Sequence, residues 1–230
     1  MSARKSAAPS AANTRAREAA VFRPAARPSK RDVSWLMSLC VPLIVVAGCA
    51  TSSGVSVSGI PEADIAAAYI PLHRGSLVQH ADGAAVAIAP GVAVTNGHNR
   101  NLVAPEAVIG EARDYDLLFF RDGHDAVPAS ADPRVGGAVT AYGQGVDGEL
   151  RRAGGIVQSV RDCAGCTVPA YFIFAGDAGP GFSGGPVLDN SGHLIGITFG
   201  YRQEGSNRLI YAYPMSRVRA EFFALPEAAK

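Results

Sequence analysis

Between residues 77 and 213 the chain is a succession of short apolar runs separated by turn residues. The runs are 77–78, 84–88, 92–95, 107–109, 117–120, 138–142, 155–160, 171–174, 187–188, 194–199 and 209–213. Gly, Pro or Asp stands between them, at a spacing of roughly 8–12 residues, which is the pattern of an all-β sandwich or barrel. Asp82-Gly83 reads as a hairpin dipeptide, and Asp189-Asn190-Ser191-Gly192 as a second turn. Val218 and Phe222, four apart within 215–224, predict a short closing helix. The polar, acidic stretch 122–135 predicts a seam between two β lobes.

The chain has 230 residues, 48% hydrophobic and 18% charged, enough for one domain or two small lobes plus an extension. Its charge is uneven. Residues 1–48 carry eight Lys/Arg and two Asp/Glu, which leaves 13 basic and 18 acidic residues in the remainder. A mildly acidic globular part gives no electrostatic reason to expect nucleic acid. Lys30 and Arg31 precede an apolar run of about a dozen residues that ends in small ones, the layout of a secretory signal. The run is shorter than the roughly twenty residues a membrane-spanning helix needs.

Val46-Ala47-Gly48-Cys49 resembles the lipobox of bacterial lipoproteins. That resemblance implies a diacylglyceryl group on the Cys49 thiol and cleavage just before it. Ala50, not Asp, in the next position implies sorting to the outer membrane, with the domain facing the periplasm. Acyl chains hold such a protein to a bilayer without a spanning helix. Residues 1–48 are therefore read as extension and signal peptide, and 49–75 as the lipidated cysteine and a flexible tether. The tether begins with the small, polar stretch 50–60. Residues 76–230 are read as the folded domain.

Within that domain, Gly179-Pro180-Gly181-Phe182-Ser183-Gly184-Gly185-Pro186-Val187 sets one hydroxyl among four glycines. Such a loop can turn its own N–H groups toward one point. Those of Gly181 and Ser183 are suited to holding an oxyanion beside the Ser183 oxygen. The letters also fit the nucleophile elbow of α/β-hydrolases, but that reading needs a helix directly after the serine. Pro186 and a strand-like Val187-Leu188 stand there instead. The plainer alternative is a Gly/Pro surface turn.

A serine hydroxyl needs a base, and the base an orienting carboxylate. Of His73, His80, His98, His124 and His193, His98 stands in a tight turn at the end of the 92–95 strand. From there it can project from a rigid support into a cleft. The other four read as surface or packing residues. Asp116 abuts the apolar run 117–120 and is preferred to Asp114, which lies in the more polar approach. A partly buried aspartate accepting from an imidazole N–H fixes its tautomer and stabilises the imidazolium.

Thr95-Asn96-Gly97-His98, Asp116-Leu117-Leu118 and Gly181-Phe182-Ser183-Gly184-Gly185-Pro186 together resemble the three signatures of trypsin-like serine peptidases, in the order His, Asp, Ser. The resemblance covers roughly 76–220. Gly155-Ile156-Val157 resembles a strand of the second barrel in bacterial Deg-type members. The family implies two six-stranded-type antiparallel β-barrels and a short C-terminal helix, with the first barrel trimmed because His98 and Asp116 are only 18 residues apart. It implies a serine endopeptidase acting on protein or peptide substrates. His98, oriented by Asp116, takes the Ser183 proton, and an acyl-enzyme is then hydrolysed. Thr198, Phe199 and Gly200 fall on the strand that pairs with substrate backbone. Asp177 falls where basic-specific relatives carry a pocket-floor aspartate, with small apolar side chains the competing preference. Phe182 replaces the aspartate that animal digestive relatives use in zymogen activation, so activity is expected without that N-terminal switch.

Cys163 and Cys166 lie on an expected hairpin tip, and in an exported protein they can form a short disulfide. A redox role would need a βαβ setting, and a zinc site two more ligands. No metal or other cofactor is expected. A catalytically silent peptide-binding relative and an esterase with the same triad are the alternatives.

Overall fold

The computed structural model describes residues 53–57, 65, 68–75, 80–112, 114–145 and 148–226. The leader, Cys49 and part of the expected tether lie outside the described residues, as does the apolar pair 77–78. The described chain folds into twelve strands and a closing helix: β1 (Val55–Ser56), β2 (Tyr69–Gly75), β3 (His80–Ala89), β4 (Val92–Thr95), β5 (Val108–Ala112), β6 (Leu117–Arg121), β7 (Ala138–Gln144), β8 (Leu150–Arg161), β9 (Tyr171–Gly176), β10 (Pro186–Asp189), β11 (Leu194–Glu204), β12 (Asn207–Pro214) and α1 (Met215–Phe223).

The second lobe is a closed antiparallel barrel. Its order is β8-β7-β10-β11-β12-β9, and β9 pairs back onto β8. Twelve-residue β8 serves two neighbours, giving its first half to β7 and its second half to β9. The first lobe is a five-stranded sheet in the order β2-β3-β4-β6-β5. No pairing among the described residues closes it, so the trimming foreseen from the short His98–Asp116 interval takes the form of an open sheet. Two details depart from the expectations. The first lobe begins at Tyr69, not beyond residue 75. Asp82-Gly83 lies inside β3, opposite His73 and Leu72, and is not a turn. Gly83 is glycine for another reason: a Cβ there would stand 2.8 Å from the Asn99 amide nitrogen.

Three clusters of side chains hold the lobes. Ile70, Leu72, Ala93, Leu118 and Phe120 fill the first. Phe172, Phe174, Phe182, Val187, Ile195 and Ile210 fill the barrel. The third joins Leu117 and Phe119 of β6 to Leu188, Ile197, Tyr213 and Val218 of the second lobe. This explains why 117–120 is apolar without alternation. Successive side chains of a strand point to opposite faces, and here one face meets the first core while the other meets the junction between lobes. Helix α1 continues that junction: the Phe222 ring lies 5.3 Å from that of Phe119.

Candidate active site

The end of β4 carries the histidine. Thr95 is fully buried and donates its hydroxyl to the Ala84 carbonyl at 2.7 Å. The chain then enters a 3₁₀ turn, Gly97–Leu102, whose second residue is His98. Asp116 stands just before β6, which pairs with β4, so adjacent strands deliver both side chains to one place. Asp116 Oδ2 lies 2.6 Å from His98 Nδ1, and Asp116 Oδ1 accepts the His98 backbone N–H at 2.9 Å. Gly97 permits this approach, since a Cβ there would come 2.9 Å from Asp116 Oδ1. The Asp116 N–H donates to the Tyr213 hydroxyl at 3.3 Å. Burial pushes the Asp116 carboxyl upward, but the bond to His98, its charge and the backbone N–H groups of His98 and Gly97 outweigh that and hold it below its ordinary value. Asp114, the alternative, is exposed.

The serine loop is docked onto this turn. The Ser183 carbonyl accepts the Ala84 N–H at 2.9 Å and the Asn99 side-chain amide at 3.0 Å. Asn99 also donates to Thr95 Oγ1 at 3.0 Å, so the residue after His98 ties β4 to the serine. Gly184 has φ +83°, and a Cβ there would stand 2.1 Å from the Ala84 oxygen. No hydrogen bond joins the Ser183 hydroxyl to His98 among the described residues; such bonds often tighten only when substrate is bound.

Alternate amides of the loop are used internally. Phe182 N–H donates to Gly179, Gly184 N–H to Thr198 and Gly185 N–H to Phe182. The N–H groups of Gly181 and Ser183 find no acceptor among the described residues. Gly181 has φ +85°, and its carbonyl accepts from Gln144 N–H at 3.0 Å. Phe182, 1% exposed, drives its ring into the barrel core.

Beside Ser183 is a small cavity of about 10 Å³, lined by Ala178, Gly179, Phe182, Ser183, Thr198, Gly200, Tyr201 and Ile210. That is about the space of one water. Asp177, the expected pocket-floor residue, is not among the residues that line it. Its side chain is mostly exposed, and its oxygens are taken by Arg208 Nη1 at 3.2 Å and the Gly54 N–H at 3.3 Å. Thr198 lines the cavity but is committed to the serine loop: its N–H and C=O bond Gly185 and Gly184, and its hydroxyl donates to the Phe182 carbonyl. β10 ends its pairing with β11 at Ile197, so the open edge for an extended peptide begins after Thr198, at Phe199, Gly200 and Tyr201. A roomier cavity of about 410 Å³, between the 131–139 segment and the Asp189–His193 turn, is lined by none of His98, Asp116 and Ser183.

Cys163 and Cys166 are joined by a disulfide, with Cα atoms 5.3 Å apart. Cys163 Sγ accepts from the Tyr115 hydroxyl at 3.6 Å and from Arg217 Nη2 at 3.4 Å, next door to Asp116. Asn99, Tyr201 and Tyr213 were not singled out by the sequence. Asn99 sat in a polar turn like any other, and Tyr213 in an apolar run beside Tyr211, where neither hydroxyl gave a sign of its partner.

A family model described as a trypsin-like peptidase domain matches residues 74–197, more than half of the 230 residues. The chain belongs to the trypsin-like peptidase family. No curated protein matches it by sequence. Among solved structures, the inactive form of the Rv3671c protease, a protein of M. tuberculosis, is similar with TM-score 0.55 and 17% identity, over 75% of this chain and 99% of that one. The HtrA-type protease AlgW, solved with a tripeptide, gives 0.54 and 20%, over 68% of this chain and 59% of that one. The serine endoprotease from Yersinia pestis gives 0.54 and 18%, over 70% and 66%. Identities this low speak for the trypsin-like fold alone. Within that family build, the described residues put His98, Asp116 and the Ser183 backbone on the surface where the two lobes meet.

Proposed function

We propose that this trypsin-like peptidase is an exported serine endopeptidase, anchored through a lipid on Cys49, with Ser183 as nucleophile, His98 as base and Asp116 as its orienting partner. The observation that carries the reading is the link through Asn99. The residue next to His98 holds the Ser183 carbonyl at 3.0 Å, while Asp116 grips both the ring and the backbone of His98. In this reading His98 Nε2 takes the Ser183 proton as the oxygen attacks the scissile carbonyl, then gives it to the leaving amine. The unused N–H groups of Gly181 and Ser183 receive the oxyanion. Water enters with His98 again as base and frees the acid. The disulfide supports export to an oxidising compartment.

The test is covalent labelling with a fluorophosphonate followed by peptide mapping. Stoichiometric modification of Ser183, abolished in His98→Ala, is expected. An unlabelled Ser183 in folded protein would leave a silent peptide-binding relative. Cleavage of casein, against hydrolysis of simple esters only, separates peptidase from esterase.

A further inference from the structure

Residues 50–60 read as a flexible tether, yet residues 53–57 are built into the second lobe. Val55 and Ser56 pair with Arg152 and Arg151 of β8, and the Val57 N–H donates to the Leu150 carbonyl at 2.9 Å. What this segment touches is the back of the serine loop. Ser53 is 4% exposed, and its hydroxyl accepts from Arg208 Nη1 at 2.5 Å. The same Arg208 nitrogen donates to Asp177 Oδ1 at 3.2 Å and the Ala178 carbonyl at 3.4 Å, while the guanidinium lies 5.3 Å over the Tyr201 ring. Ala178 and Tyr201 are walls of the cavity beside Ser183. Gly179 is glycine because a Cβ there would stand 2.2 Å from the Ser53 oxygen. Gly54, at φ +70°, lies against the far end of the Phe182 ring, where a Cβ would come within 2.9 Å of Cζ. Its N–H donates to Asp177 at 3.3 Å.

We propose that residues 53–57 form a strap that holds the 177–183 loop in its working shape, with Ser53, Gly54 and Arg208 as positioning residues. The strap has two grips with different consequences. Gly54 acts through Phe182, the residue between the two unpaired N–H groups, and so sets where an oxyanion would be received. Ser53 acts through Arg208 on the 177–179 wall, and so sets the shape of the pocket. Neither grip needs a free amino terminus, and the buried Phe182 ring does by packing what an ion pair would do by charge. The kinetic part of this inference rests on the proposed peptidase reading; the structural part does not.

Hydrogen exchange on the full chain tests the structural part directly. The N–H groups of Phe182, Gly184 and Gly185 all have internal acceptors and serve as probes. In Ser53→Ala and in Gly54→Val these probes are expected to exchange at least about tenfold faster, while β9 and β12 keep their protection, as local opening requires. For peptide substrates, Gly54→Val lowers kcat about 10- to 100-fold with KM little changed, the mark of a misplaced oxyanion donor. Ser53→Ala and Arg208→Met instead raise KM and blunt discrimination between side chains at the cleavage site. Combining those two changes is expected to do no more than Arg208→Met alone, because Ser53 reaches the pocket wall through Arg208. Unchanged probe exchange in both strap variants overturns the proposal, and so does faster exchange spread evenly over both lobes. If the unaltered chain cleaves nothing, the peptidase reading falls while the exchange result still decides the strap.

Discussion

His73 with Asp82, His98 with Asp116, His124 with Asp122 and His193 with Asp189 all form imidazole–carboxylate pairs. A carboxylate partner therefore does not single out a base in this chain; the link to the serine loop does, and His98 has it through its neighbour Asn99. Asp116→Asn reverses the acceptor that fixes the imidazole tautomer and is expected to lower kcat about 10⁴-fold with the fold intact. The folded carboxyl of Asp116 lies below its ordinary value of 3.8. Its contribution to stability is thus complete above that value and is lost as pH falls through the lower, folded one. Thermal melts of the parent and of Asp116→Asn should differ by a constant amount above about pH 5 and converge only as pH falls below the folded carboxyl's value, which lies under 3.8. Convergence near neutral pH would contradict the bond geometry. The cavity beside Ser183 yields a second residue-scale expectation. Its small volume, and an Asp177 already held by Arg208 and Gly54, argue against a long basic side chain. A peptide library should show Ala or Ser preferred to Arg or Lys before the cut bond by at least about tenfold in kcat/KM, the discrimination a small pocket provides.

The serine loop is an element made of backbone contacts, and its glycines have steric duties. Gly184 is at φ +83° with the Ala84 oxygen 2.1 Å from any added Cβ; Gly185 faces the Tyr142 oxygen at 2.0 Å. Gly184→Ala is expected to lower stability in urea unfolding by about 1–3 kcal/mol or more from backbone strain alone, and to abolish fluorophosphonate labelling well before the midpoint. Retained labelling with unchanged stability would show that the loop yields easily. These close approaches also account for what could be read before any coordinates. The barrel architecture was implied by the family resemblance, and the second lobe is the one that closes. The strand pattern, the closing helix and the prominence of His98, Asp116 and Ser183 follow from local composition and short-range spacing. Asn99, Arg208 and Ser53 do not, because their partners lie 84, 31 and 155 positions away. Nor did the role of Gly83: within a strand it looked like half of a hairpin signal, and only the Asn99 amide against it explains the missing side chain. Counting from Ser183 to Asp177 likewise could not show Arg208 arriving from β12 to pair with it.

At the scale of the whole molecule the site depends on two lobes keeping register. The junction core and α1 do this, with Leu225 filling the space that a Cβ on Gly110 would occupy. A second brace runs from the disulfide: Arg217 of α1 lies 4.6 Å over the Tyr115 ring, and both contact Cys163, beside the aspartate that grips His98. The strap adds a consequence for placement in the cell. If Cys49 is the acylated N-terminus, only four peptide steps separate it from Ser53, a reach of at most about 14 Å. Ser53 in turn touches the pocket wall through Arg208. Substrate would then be met close to the bilayer surface, and a soluble form would lose location and not chemistry. Cys49→Ser is therefore expected to move the protein from the detergent phase to the aqueous phase on phase separation, since acyl chains supply the membrane affinity, while kcat and KM on a soluble peptide stay within about twofold, as expected for a surface change away from the site. Equal partitioning of the two forms, or an unmodified cysteine in the mass spectrum of the mature chain, would refute the anchor.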